Sequence, residues 1–353
     1  MSKGANEGES TPSAGEPRLD DSVASQAEGI RRGNRRAMAQ AITLLESRRP
    51  EQAAMGQAIL DRLLPLSGQA LRVGITGPPG VGKSTFIEGL GLMLVEQGYR
   101  VAVLAVDPSS PLTGGSILGD KTRMEGLAQS DAAFVRPSPS GGSLGGVAHR
   151  TREVMLLCEA AGYDVVLIET VGIGQSEVTV SSMVDFFLVL LLPAGGDQLQ
   201  GIKRGVMELA DLLVVNKADG NTQKIAELTR QEYESAISLI RPSSVAWRPR
   251  ALLASALERT GLDEIWASMQ AHREALEANG EFEVRRRQQN RDWMWALVDR
   301  GLREALETDP EASEQRQRLE EEVQSQARTP ASAARTMLDL FLGKNRTDSG
   351  LEE

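Results

Sequence analysis

The chain has 353 residues, of which 41 % are hydrophobic and 25 % are charged, fractions that are ordinary for a soluble globular protein. Its net charge of −10 disfavours nucleic acid or an anionic membrane as the main partner. With one cysteine, Cys158, and two histidines, the sequence excludes an intrachain disulfide and offers too few ligands for a closed zinc site. The longest apolar run, residues 186–192, is far shorter than the ~20 residues of a membrane-spanning helix. We therefore expect a reduced, cytoplasmic protein.

The amino-terminal part of the chain is predicted to be a polar tail followed by helices. Residues 1–27 are rich in Gly, Ser, Glu and Pro and are predicted to be a disordered tail. Residues 28–66 are predicted to form a helical extension. In this extension Asn34 caps a helix that ends near Ser47, and Pro50 starts a second helix.

Residues 67–270 are predicted to form the main domain, because apolar segments alternate there with amphipathic helical patterns. Continuous apolar strands of this kind indicate a parallel sheet covered by helices on both faces. The fold class is therefore α/β. The predicted strands are LRVGIT, RVAVLAV, AAFVR, DVVLIE, VDFFLVLLL, DLLVVN and ALLAS.

Residues 271–345 lack strand signals and are predicted to be helical. Three helices are expected, over residues 281–307, 311–327 and 330–342. Thr329 is a suitable N-cap for the last helix, and Gly343 is a suitable residue to end it. Residues 346–353 are expected to be a frayed tail.

The first of these helices carries an apolar stripe with two tryptophans, Trp293 and Trp295, beside it. The stripe either packs on the chain's own main domain or forms a dimer interface, where tryptophan is enriched. The stripe consists of Met294, Leu297, Val298, Gly301, Leu302 and Ala305.

A phosphate-binding loop is predicted directly after the first strand. The segment GPPGVGKST fits the pattern G-x4-G-K-[ST] between an apolar strand and a helix. Its glycines allow backbone N–H groups to surround a phosphate at the positive end of the helix dipole. Lys83 would neutralise β- and γ-phosphate charge, Ser84 would ligate Mg²⁺, and Thr85 would hold the α-phosphate. The predicted phosphate-binding residues are Gly77, Pro79, Gly80, Val81, Gly82, Lys83, Ser84 and Thr85.

The tetrapeptide NKAD at residues 216–219 is predicted to select guanine. By itself it is a common helix start, but here it follows a strand and lies ~130 residues after the phosphate loop. The Asp219 carboxylate can accept from both N1–H and N2–H₂ of guanine, whereas adenine would leave it unpaired. Lys217 would lie over the base, and Asn216 would tie this loop to the phosphate loop. The Ser255-Ala256 pair would bring a backbone amide to guanine O6.

Three carboxylates near predicted strand ends are candidate magnesium ligands. Asp107 and Glu169 end the second and fourth predicted strands, and Asp120 lies in the sequence LGDK. Carboxylates at this edge of a parallel sheet face the phosphate crevice, and Mg²⁺ needs only one or two of them. The Gly172 N–H would meet the γ-phosphate, so residues 169–177 are the expected switch segment.

The residue that orients the attacking water is not fixed by the sequence. In Ras-like proteins a glutamine directly follows the switch glycine, but Ile173 occupies that position here. Gln175 and Lys203 are possible substitutes, and the predicted catalytic residues are Lys83, Glu169, Gln175 and Lys203. We expect slow hydrolysis that a partner or a loop movement accelerates.

Taken together, several motifs closely resemble those of the MeaB/ArgK family of P-loop GTPases, over about residues 30–345. This resemblance implies a homodimeric GTPase that assists adenosylcobalamin-dependent acyl-CoA mutases in cofactor loading, protection and reactivation. It implies GTP or GDP and Mg²⁺ as ligands, and Asp107, Asp120 and Glu169 as magnesium carboxylates. It also implies a further mobile loop over residues 195–203. The motifs are GPPGVGKST, VDPSSPLTGGSILGDKTRM, RPSPSGGSLGGV, ETVGIGQSE, PAGGDQLQGIKRG and NKAD.

The sequence leaves two alternative functions, a kinase and a metal-insertion GTPase. A kinase of a small molecule or protein, as the older ArgK name suggests, would need an acceptor motif that we do not find, and NKAD argues against ATP. A metal-insertion GTPase would be expected to carry His- or Cys-rich stretches, which this sequence lacks.

Overall fold

The computed structural model describes residues 19–47, 49–106, 124–136, 144–170, 176–193, 204–240, 242 and 244–347. The chain divides into two compact units, Met1–Phe282 and Glu283–Glu353. Among the residues described, no helix combines the length and the apolar character needed to cross a membrane.

The first unit is built on a seven-stranded parallel sheet with the order β3-β2-β4-β1-β5-β6-β7. This arrangement confirms the predicted α/β class. The first strand, β1, lies between β4 and β5, so the strand order reverses beside it, and ligands of such sheets bind outside the carboxyl ends at that point. The strands are β1 Leu71–Thr76, β2 Val101–Val106, β3 Ala133–Arg136, β4 Val165–Thr170, β5 Phe186–Leu191, β6 Leu212–Val215 and β7 Arg250–Leu253.

Helices cover both faces of the sheet, as the continuous apolar strands require. The helices of this unit are α1 Leu19–Arg31, α2 Arg35–Leu45, α3 Pro50–Leu63, α4 Lys83–Glu96, α5 Glu125–Gln129, α6 Leu144–Ala160, α7 Ser176–Ser181, α8 Arg204–Leu209, α9 Gln223–Ser238 and α10 Leu262–Ala278. One face of the sheet is covered by α6, α7, α8 and α9, with α1, α2 and α3 packed on α6, and the other face is covered by α4, α5 and α10. The next helix, α11, spans Glu281–Thr308.

Aspartates at the amino ends of three strands accept hydrogen bonds from backbone N–H groups at the start of the neighbouring strand. Asp164 accepts from Arg100 N at 2.8 Å, Asp185 from Arg72 N at 2.9 Å, and Asp211 from Phe187 N at 2.8 Å. The amide groups of Arg72 and Phe187 are buried and would otherwise lack a partner, whereas the Arg100 amide lies at an exposed position. The aspartates therefore connect neighbouring strands at their amino ends, on the side of the sheet opposite to the phosphate loop.

The second unit contains the rest of α11 and two further helices, α12 Pro310–Gln324 and α13 Pro330–Thr347. Thr329 caps α13 as predicted, because its Oγ1 accepts from Ser332 N. Gly343 does not end this helix, which continues to Thr347. Helix α13 thus includes glycine despite its low helix propensity, and this corrects the predicted end at residue 342.

The amino-terminal helices agree with the prediction except at their start. Asn34 caps α2 by accepting from Arg36 N and Ala37 N, as predicted. Residues 19–27, however, belong to α1 and not to a disordered tail. The reason is tertiary, because Val23, Ala27 and Ile30 recur at helical spacing and are buried in the main core. Residues 1–18 lie outside the described part of the chain.

Candidate nucleotide-binding site

The predicted phosphate loop is the turn between the end of β1 and the start of α4. Gly77, Gly80 and Gly82 have φ values of 155°, 77° and 94°, a region in which residues with a side chain are strained. A Cβ on Gly77 would also lie 2.6 Å from the carbonyl oxygen of Leu190. The glycines are thus required by this backbone path, which ends at the amino terminus of α4, where an anion is favoured.

The Lys83 side chain folds back along this loop. Its Nζ donates to the carbonyl oxygens of Gly77 at 2.8 Å and Pro78 at 3.3 Å. Partial burial lowers the pKa of Lys83, and the nearby carboxylates of Glu169 and Glu177 act in the opposite direction. The ammonium group is therefore held at the loop by backbone carbonyls and balanced by two acidic side chains.

Ser84 and Glu169 lie together, although they are 85 residues apart in sequence. The Ser84 hydroxyl donates to Glu169 Oε1 at 3.1 Å, and Glu169 is buried at the end of β4. A hydroxyl and a carboxylate are the hard oxygen ligands that Mg²⁺ prefers. The donor chemistry of this pair therefore fits the predicted magnesium site.

Several predicted residues lie outside the part of the chain that the structure describes. They are Asp107, Asp120, Gly172, Gln175 and Lys203, together with the loop over residues 195–203. Their predicted roles remain predictions. Thr85 is exposed in the first turn of α4, Val81 is buried, and Pro79 and Gly80 are exposed in the loop.

The base loop, residues 216–219, is joined to the phosphate loop by Asn216, as the sequence predicts. Asn216 is 1 % exposed, and its Nδ2 donates to the carbonyl oxygen of Val81 at 2.8 Å. Its Oδ1 accepts from the backbone N–H of Ala256 at 3.1 Å. One buried amide thus holds three loops at the carboxyl edge of the sheet.

Lys217 and Asp219 flank the place that the sequence assigns to guanine. Lys217 has a φ of 60°, and its Nζ donates to the carbonyl oxygen of Gly80 at 2.7 Å. The Ser255 hydroxyl donates to Asp219 Oδ2. That hydrogen bond orients the carboxylate while leaving it capacity to accept from a ligand.

Three contributions in this site were not predicted from the sequence. Ser255 acts through its hydroxyl on Asp219 as well as through the position of its backbone. The Thr222 hydroxyl donates to the carbonyl oxygens of Lys217 and Asp219, and so holds the backbone of the base loop. Glu177 is fully buried close to Lys83. The role of Thr222 could have been predicted, because a threonine three residues after Asp219 can hydrogen-bond the backbone of the turn. The burial of Glu177 has no local sequence signal.

Comparisons with known proteins agree with this arrangement. Residues 38–311 match the family model described as methylmalonyl-CoA mutase-associated GTPase MeaB. A probable GTPase of Mycobacterium tuberculosis is 54 % identical over 321 residues, which cover 91 % of this chain and 96 % of that protein. The GTPase ArgK of Escherichia coli is 54 % identical over 274 residues, 77 % of this chain and 83 % of that protein.

Animal proteins and a solved structure are similar as well. The mouse methylmalonic aciduria type A homolog, a mitochondrial protein by its name, is 46 % identical over 327 residues, 90 % of this chain and 79 % of that protein. A crystal structure of an LAO/AO transport system kinase superposes with a TM-score of 0.74 at 40 % identity. The matched region covers 91 % of this chain and 98 % of the chain in that crystal structure.

Proposed function

Because the chain belongs to the MeaB family of methylmalonyl-CoA mutase-associated GTPases, we propose that it is the GTP-hydrolysing chaperone of an adenosylcobalamin-dependent acyl-CoA mutase. Its GTPase activity would be coupled to cofactor loading, protection and reactivation of the mutase. The observation that supports guanine-nucleotide binding most directly is the buried Asn216 side chain, which joins the base loop to the phosphate loop. Methylmalonyl-CoA mutase is the partner that we propose, since the family is described by its association with that enzyme.

The arrangement of the described residues supports phosphoryl transfer from GTP to water. Lys83 would move its ammonium group from the Gly77 and Pro78 carbonyls towards the β- and γ-phosphates. Charge that develops on the phosphate oxygens in the transition state would then be neutralised. Ser84 and Glu169 would hold Mg²⁺, with Asp107 and Asp120 as the further carboxylates. When bound, this ion would supply additional positive charge at the phosphates.

We propose that hydrolysis is slow without the mutase. Ile173 occupies the position of the Ras glutamine and cannot orient a water molecule. Gln175 or Lys203 would then take this role when the mutase is bound. A partner that completes a catalytic site accelerates the reaction in this way.

The proposed assembly is a homodimer formed through the apolar stripe of α11. Within the second unit, Met294, Trp295, Val298 and Leu302 are 50 %, 56 %, 41 % and 55 % exposed. Large apolar side chains exposed at successive turns of one helix are typical of an interface. The single cysteine, Cys158, is buried and unpaired, in keeping with our proposal of a reducing, cytoplasmic location.

The kinase alternative keeps one observation in its favour, because a similar solved protein is named a transport system kinase. The two functions differ in nucleotide and in product. A GTPase of this kind prefers GTP and releases phosphate to water, whereas a kinase transfers the phosphate to an acceptor.

The test is phosphate release by the purified chain with GTP or ATP, with and without a methylmalonyl-CoA mutase. We expect GTP to be preferred and its turnover to rise at least tenfold when the mutase is added. Lys83→Ala should abolish the activity, and Lys224→Ala, which removes an exposed lysine of α9, is the matched control. A preference for ATP, or turnover of GTP that the mutase leaves unchanged, would contradict the proposal.

A further inference from the structure

Two threonines face each other where β1 and β4 end. The hydroxyl of Thr170, the last residue of β4, donates to Oγ1 of Thr76, the last residue of β1, at 2.7 Å. Both residues are fully buried. The backbone register of β1 and β4 ends one step earlier, with Ile75 opposite Glu169. This threonine pair therefore extends the connection between the two strands by one residue towards the phosphate loop.

Packing alone does not require threonine at these positions. Valine has nearly the same shape, suits a buried strand and brings no hydroxyl that must find a partner. The surroundings are apolar, because Gly74 lies on the same face of β1 as Thr76, and a Cβ there would lie 2.9 Å from Val180 Cγ1 and 3.1 Å from Val184 Cγ2. A satisfied polar contact in an apolar core fixes one arrangement of the segments that it joins.

The segments joined by the threonine pair are the two that meet at the predicted magnesium site. Thr76 directly precedes the phosphate loop, and Thr170 directly follows Glu169. Glu169 in turn accepts from the hydroxyl of Ser84, which lies at the other end of the phosphate loop. The contacts form a closed ring, because the chain runs from Thr76 to Ser84, Ser84 contacts Glu169, and the threonine pair leads back to β1.

This ring holds the end of β4 from both faces of the sheet. Leu167 belongs to the core on the α4 side of the sheet, and Ile168 to the core on the α7 side. Side chains of a strand alternate between faces, so Glu169 lies on the side of Leu167 and Thr170 on the side of Ile168. Ser84 therefore contacts the strand end on one face, and the threonine pair holds it on the other.

We propose that Thr170 is a positioning residue, whose hydrogen bond to Thr76 holds the Glu169 carboxylate in place for Mg²⁺. This inference rests on the proposed GTPase function and adds a residue to its magnesium site. Thr170 would not touch the ion. It would restrict the strand end that carries the carboxylate, and a ligand that is held in place loses less conformational entropy when the ion binds. The threonine pair would therefore raise the affinity for Mg²⁺.

The experiment measures GDP binding to the full chain by calorimetry, in EDTA and over a series of Mg²⁺ concentrations. Together these titrations give the affinity of the GDP complex for Mg²⁺. We expect Thr170→Val, which removes the donor, to weaken Mg²⁺ binding about tenfold and to leave GDP affinity in EDTA unchanged. Thr170→Ser keeps the hydroxyl and should bind Mg²⁺ as wild type does.

The same hydrogen bond can be removed from β1. Thr76→Val takes away the acceptor and should weaken Mg²⁺ binding about as much as Thr170→Val, that is, about tenfold. Because the two variants break one contact, the double variant should lose no more than either single variant. Full additivity of the two losses would show that the threonines act independently, and would overturn the proposed pair.

Thr229→Val is the matched control for the loss of a buried hydroxyl. Thr229 is 2 % exposed on α9, outside the phosphate and base loops, and its hydroxyl donates to the carbonyl oxygen of Ile225 at 2.9 Å. This variant should leave GDP and Mg²⁺ affinity unchanged. A purely structural role of Thr170 would lower thermal stability in Thr170→Val and leave its Mg²⁺ affinity at the wild-type value.

The outcomes separate this inference from the proposed function. Wild-type Mg²⁺ affinity in Thr170→Val would overturn the role of Thr170 alone. An equal loss of GDP affinity with and without Mg²⁺ would also overturn it, because the threonine pair would then act on the phosphate loop and not through Glu169. If GDP binding by the wild-type protein does not depend on Mg²⁺, the magnesium site of the proposed function fails together with this inference.

Discussion

The Nδ2 atom of Asn216 donates a hydrogen bond of 2.8 Å to the carbonyl oxygen of Val81, across 135 residues of sequence. The same amide accepts from Ala256 N, so both of its polar atoms are paired in a buried position. A bound nucleotide would contact all three of the loops that meet here. The two hydrogen bonds of this amide thus fix how the three loops are arranged around the predicted nucleotide position.

We expect Asn216→Ala to weaken GDP binding about 10- to 100-fold, because each buried group that loses its partner costs roughly 1–3 kcal/mol. Titration calorimetry of the purified variant would measure this loss. Asn279→Ala is the matched control, since Asn279 is an exposed asparagine at the end of α10. Wild-type affinity in Asn216→Ala would show that the loops do not depend on this amide.

Asp219→Asn should exchange the preferred base. An asparagine amide donates where the carboxylate accepts, so it pairs with the additional carbonyl of xanthine and no longer with the 2-amino group of guanine. We expect roughly a 100-fold loss of GDP affinity together with improved binding of xanthosine diphosphate. Competition between the two diphosphates would decide the matter, and an unchanged preference for GDP would remove Asp219 from the base site.

The ion pair between Arg72 and Glu159 is buried, with 7 % and 0 % of the two side chains exposed and contacts of 2.6 Å and 2.9 Å. Arg72→Met should lower the free energy of unfolding by about 3–5 kcal/mol, because it leaves a buried carboxylate without its counter-charge. Urea denaturation would measure this change.

Adding Glu159→Gln to Arg72→Met should recover most of the lost stability. Glutamine removes the buried charge but still accepts from Gly68 N, which is 2.6 Å from Glu159 Oε2. Arg316→Ala, which breaks an exposed pair with Glu320 on α12, should leave the urea midpoint unchanged. If the double variant is no more stable than Arg72→Met, packing and not charge explains the loss.

Leu302→Glu should convert the proposed dimer to a monomer. A charged side chain in the centre of the α11 stripe would have to be desolvated when two copies associate. Light scattering after gel filtration should therefore give half the wild-type mass. Leu228→Glu, at a leucine of α9 that is 61 % exposed, should leave the mass unchanged. A wild-type protein that is already monomeric would contradict the proposed assembly.

Cys158 should not react with a thiol reagent in the folded protein. Burial raises the pKa of its thiol, so the nucleophilic thiolate is not formed between pH 7 and 9. We expect no labelling by Ellman's reagent at either pH until urea unfolds the chain. Leu239→Cys, at an exposed position, should label at once and faster at pH 9 than at pH 7. Rapid native labelling of Cys158 would indicate opening of the core around α6.

Local patterns determined much of the fold. The predicted strand LRVGIT has the same bounds as β1 in the structure. A short apolar run between a turn and a glycine-rich loop has few other secondary structures open to it. Asn34 caps α2 through contacts within three residues. The opposite case is α1, whose polar sequence suggests disorder until Val23 and Ile30 meet a core built by residues far along the chain.

The sequence by itself determined which residues have the chemistry for guanine and phosphate, because GPPGVGKST and NKAD each act through backbone and side-chain geometry within a few residues. Only the tertiary structure decided how these segments meet. Ser84 reaches Glu169, and Glu177 is buried near Lys83, because the strand order places β4 and β5 on either side of β1. Ser255 orients Asp219 because β7 lies beside β6. Contacts between segments separated by tens of residues depend on the packing of the whole sheet, and no local pattern encodes that packing.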